Sequence, residues 1–145
     1  MAILNYTTKI NYHKTIGEIT KVLVSHGAQK ISIDYEDNGL PIALTFSVTL
    51  NESMIFFSLP ARHAGVLSAL QKAKVPNAFL TKEQSVRVSW RIIKDWVEAQ
   101  MAIVEAELAE ISEVFLPYVI TRTGQTLFKE IKANGNKLLN LENED

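Results

Sequence analysis

The sequence predicts an α+β domain in which an antiparallel sheet of three to four strands packs on helices, with one long amphipathic helix. Two observations support this prediction: short alternating segments between residues 31 and 59, and a helical pattern of apolar residues over 82–111. The chain has 145 residues and 47% of them are hydrophobic, which suits one domain with a core. We predict a single domain over 1–135 and a flexible acidic tail over 136–145.

The bulk composition narrows the possible functions. The net charge of −1 gives no general attraction to nucleic acid or to an anionic membrane. The chain has no cysteine, which excludes disulfides, thiolate metal sites and cysteine nucleophiles. This composition is compatible with a reducing compartment. The start of the chain lacks the pattern of a secretory signal, and no apolar run is long enough to cross a bilayer. We therefore expect a cytoplasmic protein that does not interact with membranes.

The first elements follow from local spacing. Residues 4–10 alternate loosely and predict an edge strand. Thr15 and Glu18 have the spacing of a capping box, and apolar residues then recur at helical intervals. Gly27 suits a left-handed helix end. The sequence therefore predicts a helix over 15–26.

Three strands are predicted next, at 31–35, 42–50 and 54–59, because apolar and polar residues alternate in each. The Asn38-Gly39 pair favours a tight turn between the first two. Such short links are typical of an antiparallel meander, which Pro60 ends because proline cannot donate to a ladder.

Helices dominate the remainder of the chain. A helix is predicted over 61–73, and Thr81 with Gln84 has the spacing of a second capping box. Residues 82–111 contain no Gly or Pro, and a helix over them would be about 45 Å long, beyond the roughly 30 Å width of a domain of this size. Its apolar stripe comprises Val86, Trp90, Ile93, Val97, Met101, Val104, Leu108 and Ile111.

The charges of this helix are arranged against its dipole, since the first half is basic and the second acidic. An antiparallel copy would pair opposite charges and cover the surplus apolar stripe. We therefore predict a homodimer through the 82–111 helix, with cations of the same chain at Lys129 to Lys137 as the alternative explanation. After residue 111 we predict a short helix over 113–116, an extended segment near 118–121, and a last helix over 125–132 that ends at Asn134-Gly135.

No motif for catalysis, metal binding or phosphate binding is present. His13, His26 and His63 have no ligand partner at helical spacing; His26 is expected to end a helix and the other two to lie on the surface. The chain has no nucleophile elbow and no glycine-rich phosphate loop. The acidic residues near Glu36 are interpreted as a polar turn. We expect no catalytic residue, no metal and no cofactor, and therefore no enzyme.

The most distinctive local cluster is a set of cations and tryptophans on the long helix, predicted to bind a ligand or partner: Arg87, Trp90, Arg91, Lys94 and Trp96. Guanidinium groups suit phosphate and carboxylate, and an indole offers a stacking surface. In the alternative interpretation the tryptophans belong to the core, and the arginines form intrahelical pairs with Glu83 and Asp95. An acidic partner face is predicted at Glu98, Glu105, Glu107 and Glu110.

Three segments carry a resemblance to a known group of proteins. They are A-I-L-N-Y-T-T-K-I (2–10), R-V-S-W-R-I-I-K-D-W-V-E-A-Q (87–100) and E-V-F-L-P-Y (113–118). Together they resemble small uncharacterised proteins encoded by phages and mobile elements of Firmicutes and related gut bacteria. The resemblance spans most of residues 2–130 and carries no catalytic motif. It implies an accessory binding protein.

Two binding functions follow as hypotheses. The first is antagonism of a bacterial defence system, in which the acidic face masks a nuclease of the host or the basic half of the helix sequesters a signalling nucleotide. The second is a nucleic-acid-binding module that uses Arg87, Trp90, Arg91 and Lys94. The missing net positive charge counts against the second hypothesis. An enzyme with a site assembled from scattered residues has no local support.

Overall fold

The computed structural model describes residues 2–139, with side chains for residues 2–135, and it confirms the α+β class. Three antiparallel strands form one sheet, and helices pack on it. The elements in chain order are α1 (Tyr12–Ser25), β1 (Ile31–Tyr35), β2 (Pro41–Leu50), β3 (Ser53–Pro60), α2 (His63–Lys72), α3 (Lys82–Glu105), α4 (Ile111–Val114) and α5 (Leu127–Leu139), with 3-10 turns at Asn77–Phe79 and Leu116–Tyr118.

The sheet is the predicted meander, in the order β1-β2-β3. Asn51 and Glu52 link β2 to β3 with positive φ angles of 53° and 67°, which suits the right-handed twist of a hairpin. Phe46 lies opposite Phe57 in the ladder, and the two rings stack with centroids 5.2 Å apart. The alternation predicted for β2 therefore places its apolar side chains against the helices.

The predicted edge strand over residues 4–10 is wrong. Residues 4–7 form a turn, in which Asn5 has a φ of +66° and its carbonyl accepts from the Thr8 N–H at 3.0 Å. The open edge of β3 is instead met by the chain near Val119, which bridges to Phe57. The extended segment predicted near 118–121 thus supplies one bridge to the sheet and not a full fourth strand.

Helix α1 begins earlier than its predicted start at Thr15. The Asn11 side chain accepts from the His13 N–H at 2.7 Å and caps the helix. Thr15 is buried inside the helix, so the capping box predicted for Thr15 and Glu18 is wrong. The predicted end is confirmed, because Gly27 has a φ of +109°.

Helix α3 is shorter than the predicted 82–111. It ends at Glu105, and Glu107 then has a φ of +60°, a left-handed conformation that breaks the helix without glycine. A separate helix, α4, then begins after Glu110, whose N–H donates to the Glu113 side chain at 3.2 Å. At about 1.5 Å per residue, the 24 residues of α3 extend only about 36 Å.

The chain itself covers the apolar stripe of α3. The part of the stripe from Val86 to Met101 is buried in the core that also contains α1 and the sheet. On another side Val88 packs with α2 residues such as Val66 and Leu70. Leu108 is 75% exposed, but it lies beyond the helix. The premise of the predicted dimer, an eight-turn helix that its own protomer cannot cover, is therefore wrong.

Helix α5 continues past its predicted end. It runs from Leu127 to Leu139, so Asn134-Gly135, the predicted end, lies within the helix, as do residues 136–139. The acidic end of the predicted tail, residues 140–145, lies outside the described residues.

Candidate functional site

The cation and tryptophan cluster predicted on α3 does not form one exposed surface. Trp90 is fully buried, and its Nε1–H donates to the carbonyl oxygen of Pro41 at 3.1 Å. Its indole therefore has no free face for a ligand, and the core interpretation describes this residue correctly. Trp96 is half-buried, with its ring against Phe115 and Tyr118.

The three cations of the predicted cluster contact nearby polar groups. Arg91, with a side chain only 15% exposed, contacts Glu18 of α1 at 2.8 Å and not Asp95. Asp95 accepts instead from the Asn5 amide at 2.8 Å. Lys94 pairs with Glu98 at 2.7 Å, and the Arg87 Nε–H donates to Gln84 at 2.9 Å.

The predicted acidic face is divided between α3 and the segment that follows it. Glu98 pairs with Lys94, and Glu105 lies 3.4 Å from the ring of His26. Glu107 and Glu110 are exposed in the segment between α3 and α4. The four carboxylates therefore do not line a single helix, although three of them lie near the carboxyl end of α3.

Two cations in the basic half of α3 pair with carboxylates of other elements of the same protomer. Lys82, at the first turn of the helix, lies 3.2 Å from Glu36 of the β1–β2 connection. Glu18 neutralises Arg91 near the middle, and His26, which ends α1 as predicted, reaches Glu105 at the last turn. Within residues 2–135, the groups that contact these charges come from α1 and the β1–β2 connection, so the charge layout of α3 does not by itself require a second copy.

A groove near the end of β3 is a better candidate for binding. It consists of two adjoining cavities, of about 430 Å³ and 180 Å³, which share Pro60, Arg62 and Tyr118. The larger cavity is also lined by Ser58, Pro117, Thr126, Phe128 and Lys129, and the smaller by Ile92, Ile93 and Trp96. We call the two together the Arg62 groove.

The Arg62 groove combines aromatic walls with positive charge. The rings of Trp96 and Tyr118 lie 5.4 Å apart at 68° to each other and form a corner of the smaller cavity. Phe128, 52% exposed, lies at the larger cavity. Arg62 and Lys129 have no carboxylate within ion-pair distance among residues 2–135, and no acidic side chain lines either cavity. The groove therefore favours an anion with an apolar or aromatic part.

An ion-pair network supports the chain beside Arg62. His63 Nε2 lies 2.7 Å from Glu36 Oε2, and Lys82 Nζ lies 3.2 Å from Glu36 Oε1, an ion pair without good hydrogen-bond geometry. The hydrogen bond to His63 lowers the pKa of Glu36 and outweighs the effect of its partial burial, and Lys82 lowers the pKa further. His63 has a side chain only 12% exposed, so its predicted surface position is wrong. Glu36 thus links the starts of α2 and α3.

Of the residues that line the Arg62 groove, the sequence predicted only Trp96 as a binding residue. Arg62, Tyr118 and Lys129 are separated by more than 50 and by 11 positions along the chain, and none belongs to a local motif. The polar residues around Thr126 weakly indicated a binding site, because they precede the first residue of a helix directly after a turn. The bridge of Val119 to Phe57 and the bridge of Ile120 to Thr126 bring these segments together.

Comparisons with known proteins assign no family to this chain. No model of a known protein family matches it, and neither a curated protein nor a solved structure does. No helix within residues 2–139 is long and apolar enough to cross a membrane.

Proposed function

We propose that this chain is a binding protein without catalytic activity, and that the Arg62 groove captures a small anionic ligand. One observation supports the proposal above all others: within residues 2–135, Arg62 and Lys129 line a groove to which no acidic side chain contributes. Unpaired cations beside partly apolar walls are the usual composition of sites for charged organic ligands. The groove also lies within one protomer, so the proposal does not require the homodimer predicted through 82–111.

The biological role we propose is antagonism of a bacterial defence system in the cytoplasm of a host cell. The resemblance to phage and mobile-element proteins motivates this role, and capture of a signalling molecule would perform it. Masking of a nuclease by Glu105, Glu107 and Glu110 is the other form of the same hypothesis, and their exposure is compatible with it. The Arg62 groove favours capture of a small anion.

The alternative proposal, a nucleic-acid-binding module on the basic half of α3, has fewer residues available. Trp90 is buried and Arg91 is paired with Glu18, which leaves Arg87 and Lys94 as its contacts. Two cations that already contact Gln84 and Glu98 give a small basic surface.

An anionic aromatic dye such as anilinonaphthalene sulfonate tests capture of anions by the groove. We expect saturable binding to the folded protein, weakened at least tenfold by Arg62→Glu combined with Lys129→Glu. Lys21→Glu, an exposed change on α1 outside the groove, is the matched control and should leave binding unchanged. Equal binding by the groove variant and the control, or no binding at all, would refute the proposal.

A further inference from the structure

We infer that the ligand of the Arg62 groove is a small nucleotide, with its base in the smaller cavity and its phosphate at Arg62 and Lys129. This inference rests on the proposed function, because it names the chemical class of the anion. It depends on the division of the groove into an aromatic part and a cationic part that meet at Arg62 and Tyr118.

The smaller cavity suits a nucleobase. Trp96 and Tyr118 line it with rings inclined at 68°, so a flat heterocycle that stacks on one ring places its edge against the other. Ile92 and Ile93 close the cavity with apolar surface. Bases stack on aromatic side chains in the same way in proteins that bind single strands.

The cationic part suits a phosphate. The guanidinium of Arg62 offers several N–H donors in a planar fork, which matches two phosphate oxygens, and Lys129 adds a mobile ammonium group. Lys129 lies in the first turn of α5, whose N-terminal end carries a partial positive charge. The Thr126 hydroxyl accepts from the Lys129 N–H at 3.3 Å and so caps this end of the helix beside the groove.

A small nucleotide fits the two parts better than other anions do. Inorganic phosphate would leave the aromatic corner empty, and a nucleoside would leave both cations unpaired. A long nucleic acid needs a continuous basic track, and the net charge of the chain is −1. The larger cavity, at about 430 Å³, leaves room for a second group such as another nucleotide unit.

Calorimetric titration of the full chain tests the assignment. The candidate ligands are adenosine monophosphate, cytidine monophosphate and a cyclic dinucleotide. The comparison compounds are adenosine, inorganic phosphate and a single-stranded DNA of twelve nucleotides. We expect at least one of the small nucleotides to bind with a stoichiometry of one per protomer, at least tenfold more tightly than adenosine and inorganic phosphate. Arg62→Ala should weaken that binding about tenfold or more, since a charge-assisted hydrogen bond contributes about 1.5–3 kcal/mol and 1.4 kcal/mol is a factor of ten.

Changes to the aromatic part complete the test. Tyr118→Leu should weaken nucleotide binding several-fold while leaving binding of inorganic phosphate unchanged. Since Tyr118 packs on Trp96 and its replacement can disturb folding, the conservative change Trp96→Phe gives a second variant in the same cavity, and it should also weaken nucleotide binding but not phosphate binding. Arg122→Ala, an exposed cation outside both cavities, is the control.

Different outcomes separate this inference from the proposed function. Phosphate that binds as tightly as every nucleotide, DNA that binds more tightly than any small nucleotide, or dye binding without nucleotide binding would overturn the nucleotide assignment and leave anion capture intact. Failure of both the dye and the nucleotides would overturn both proposals.

Discussion

Replacement of Trp90 by phenylalanine tests whether this residue belongs to the core or to a binding surface. The indole is fully buried and its Nε1–H donates to the Pro41 carbonyl at 3.1 Å, across 49 positions of sequence. Phenylalanine removes the donor, leaves the buried carbonyl without that partner and opens a cavity where the second ring lay. We expect Trp90→Phe to lower the free energy of unfolding by about 2–4 kcal/mol, from the lost hydrogen bond together with the cavity.

Trp96→Phe is the matched control, since Trp96 is only half-buried and contacts Phe115 and Tyr118 through edge-to-face geometry. Trp96→Phe should lower the free energy of unfolding by a smaller amount, about 1–2 kcal/mol. Urea unfolding followed by circular dichroism measures both variants, because the signal does not depend on tryptophan emission. A core position of Trp90 is refuted if Trp90→Phe lowers the urea midpoint by less than Trp96→Phe does, with equal dependence of the unfolding free energy on urea concentration in both variants.

Three further predictions concern stability. The pKa of Glu36 in the folded protein lies below its ordinary value of 4.5, so its ion pairs stabilise the fold fully above pH 4.5 and are lost as the pH falls through the folded-state pKa. The urea midpoint should therefore fall less steeply between pH 7 and pH 3 for Glu36→Gln than for the wild type. Equal pH dependence of the two midpoints would contradict this prediction. Asn11→Ala should destabilise the protein by about 1 kcal/mol through loss of the cap, whereas Asn11→Asp should not; equal urea midpoints for the wild type and Asn11→Ala would contradict it. A double-mutant cycle of Arg91→Met and Glu18→Gln should give a coupling energy of about 1 kcal/mol, since the Arg91 side chain is 15% exposed; additive effects would show that the 2.8 Å contact contributes nothing.

Local patterns predicted the sheet well. Alternation in β2 identifies one apolar face because successive side chains of a strand point to opposite sides, and this property needs only neighbouring residues. The turn at Asn38-Gly39 was predicted from near neighbours as well, since Gly39 adopts a positive φ of 89° without steric cost. The start of α3 was also predicted correctly, because Thr81 accepts from the Gln84 N–H at 3.0 Å.

Predictions that depended on distant contacts were wrong. The apolar pattern of α3 continues to residue 111, but the helix ends at Glu105 and the chain turns through Glu107. The Gln84 side chain, expected to complete a capping box, donates instead to the carbonyls of Tyr6 and Thr8, each at 2.9 Å. The residues around Gln84 cannot predict an acceptor that lies almost 80 residues away in the sequence.

The sequence by itself determined the three strands of the sheet and the approximate positions of the main helices, because periodicity and turn chemistry act between near neighbours. Only the tertiary structure decided which charges pair and which remain available. The sequence favoured Arg91 as a binding residue, yet Arg91 contacts Glu18, whereas Arg62 lines a groove to which no acidic side chain of residues 2–135 contributes. The physical reason is that an ion pair depends on a separation of a few ångströms between side chains, which the packing of distant elements sets.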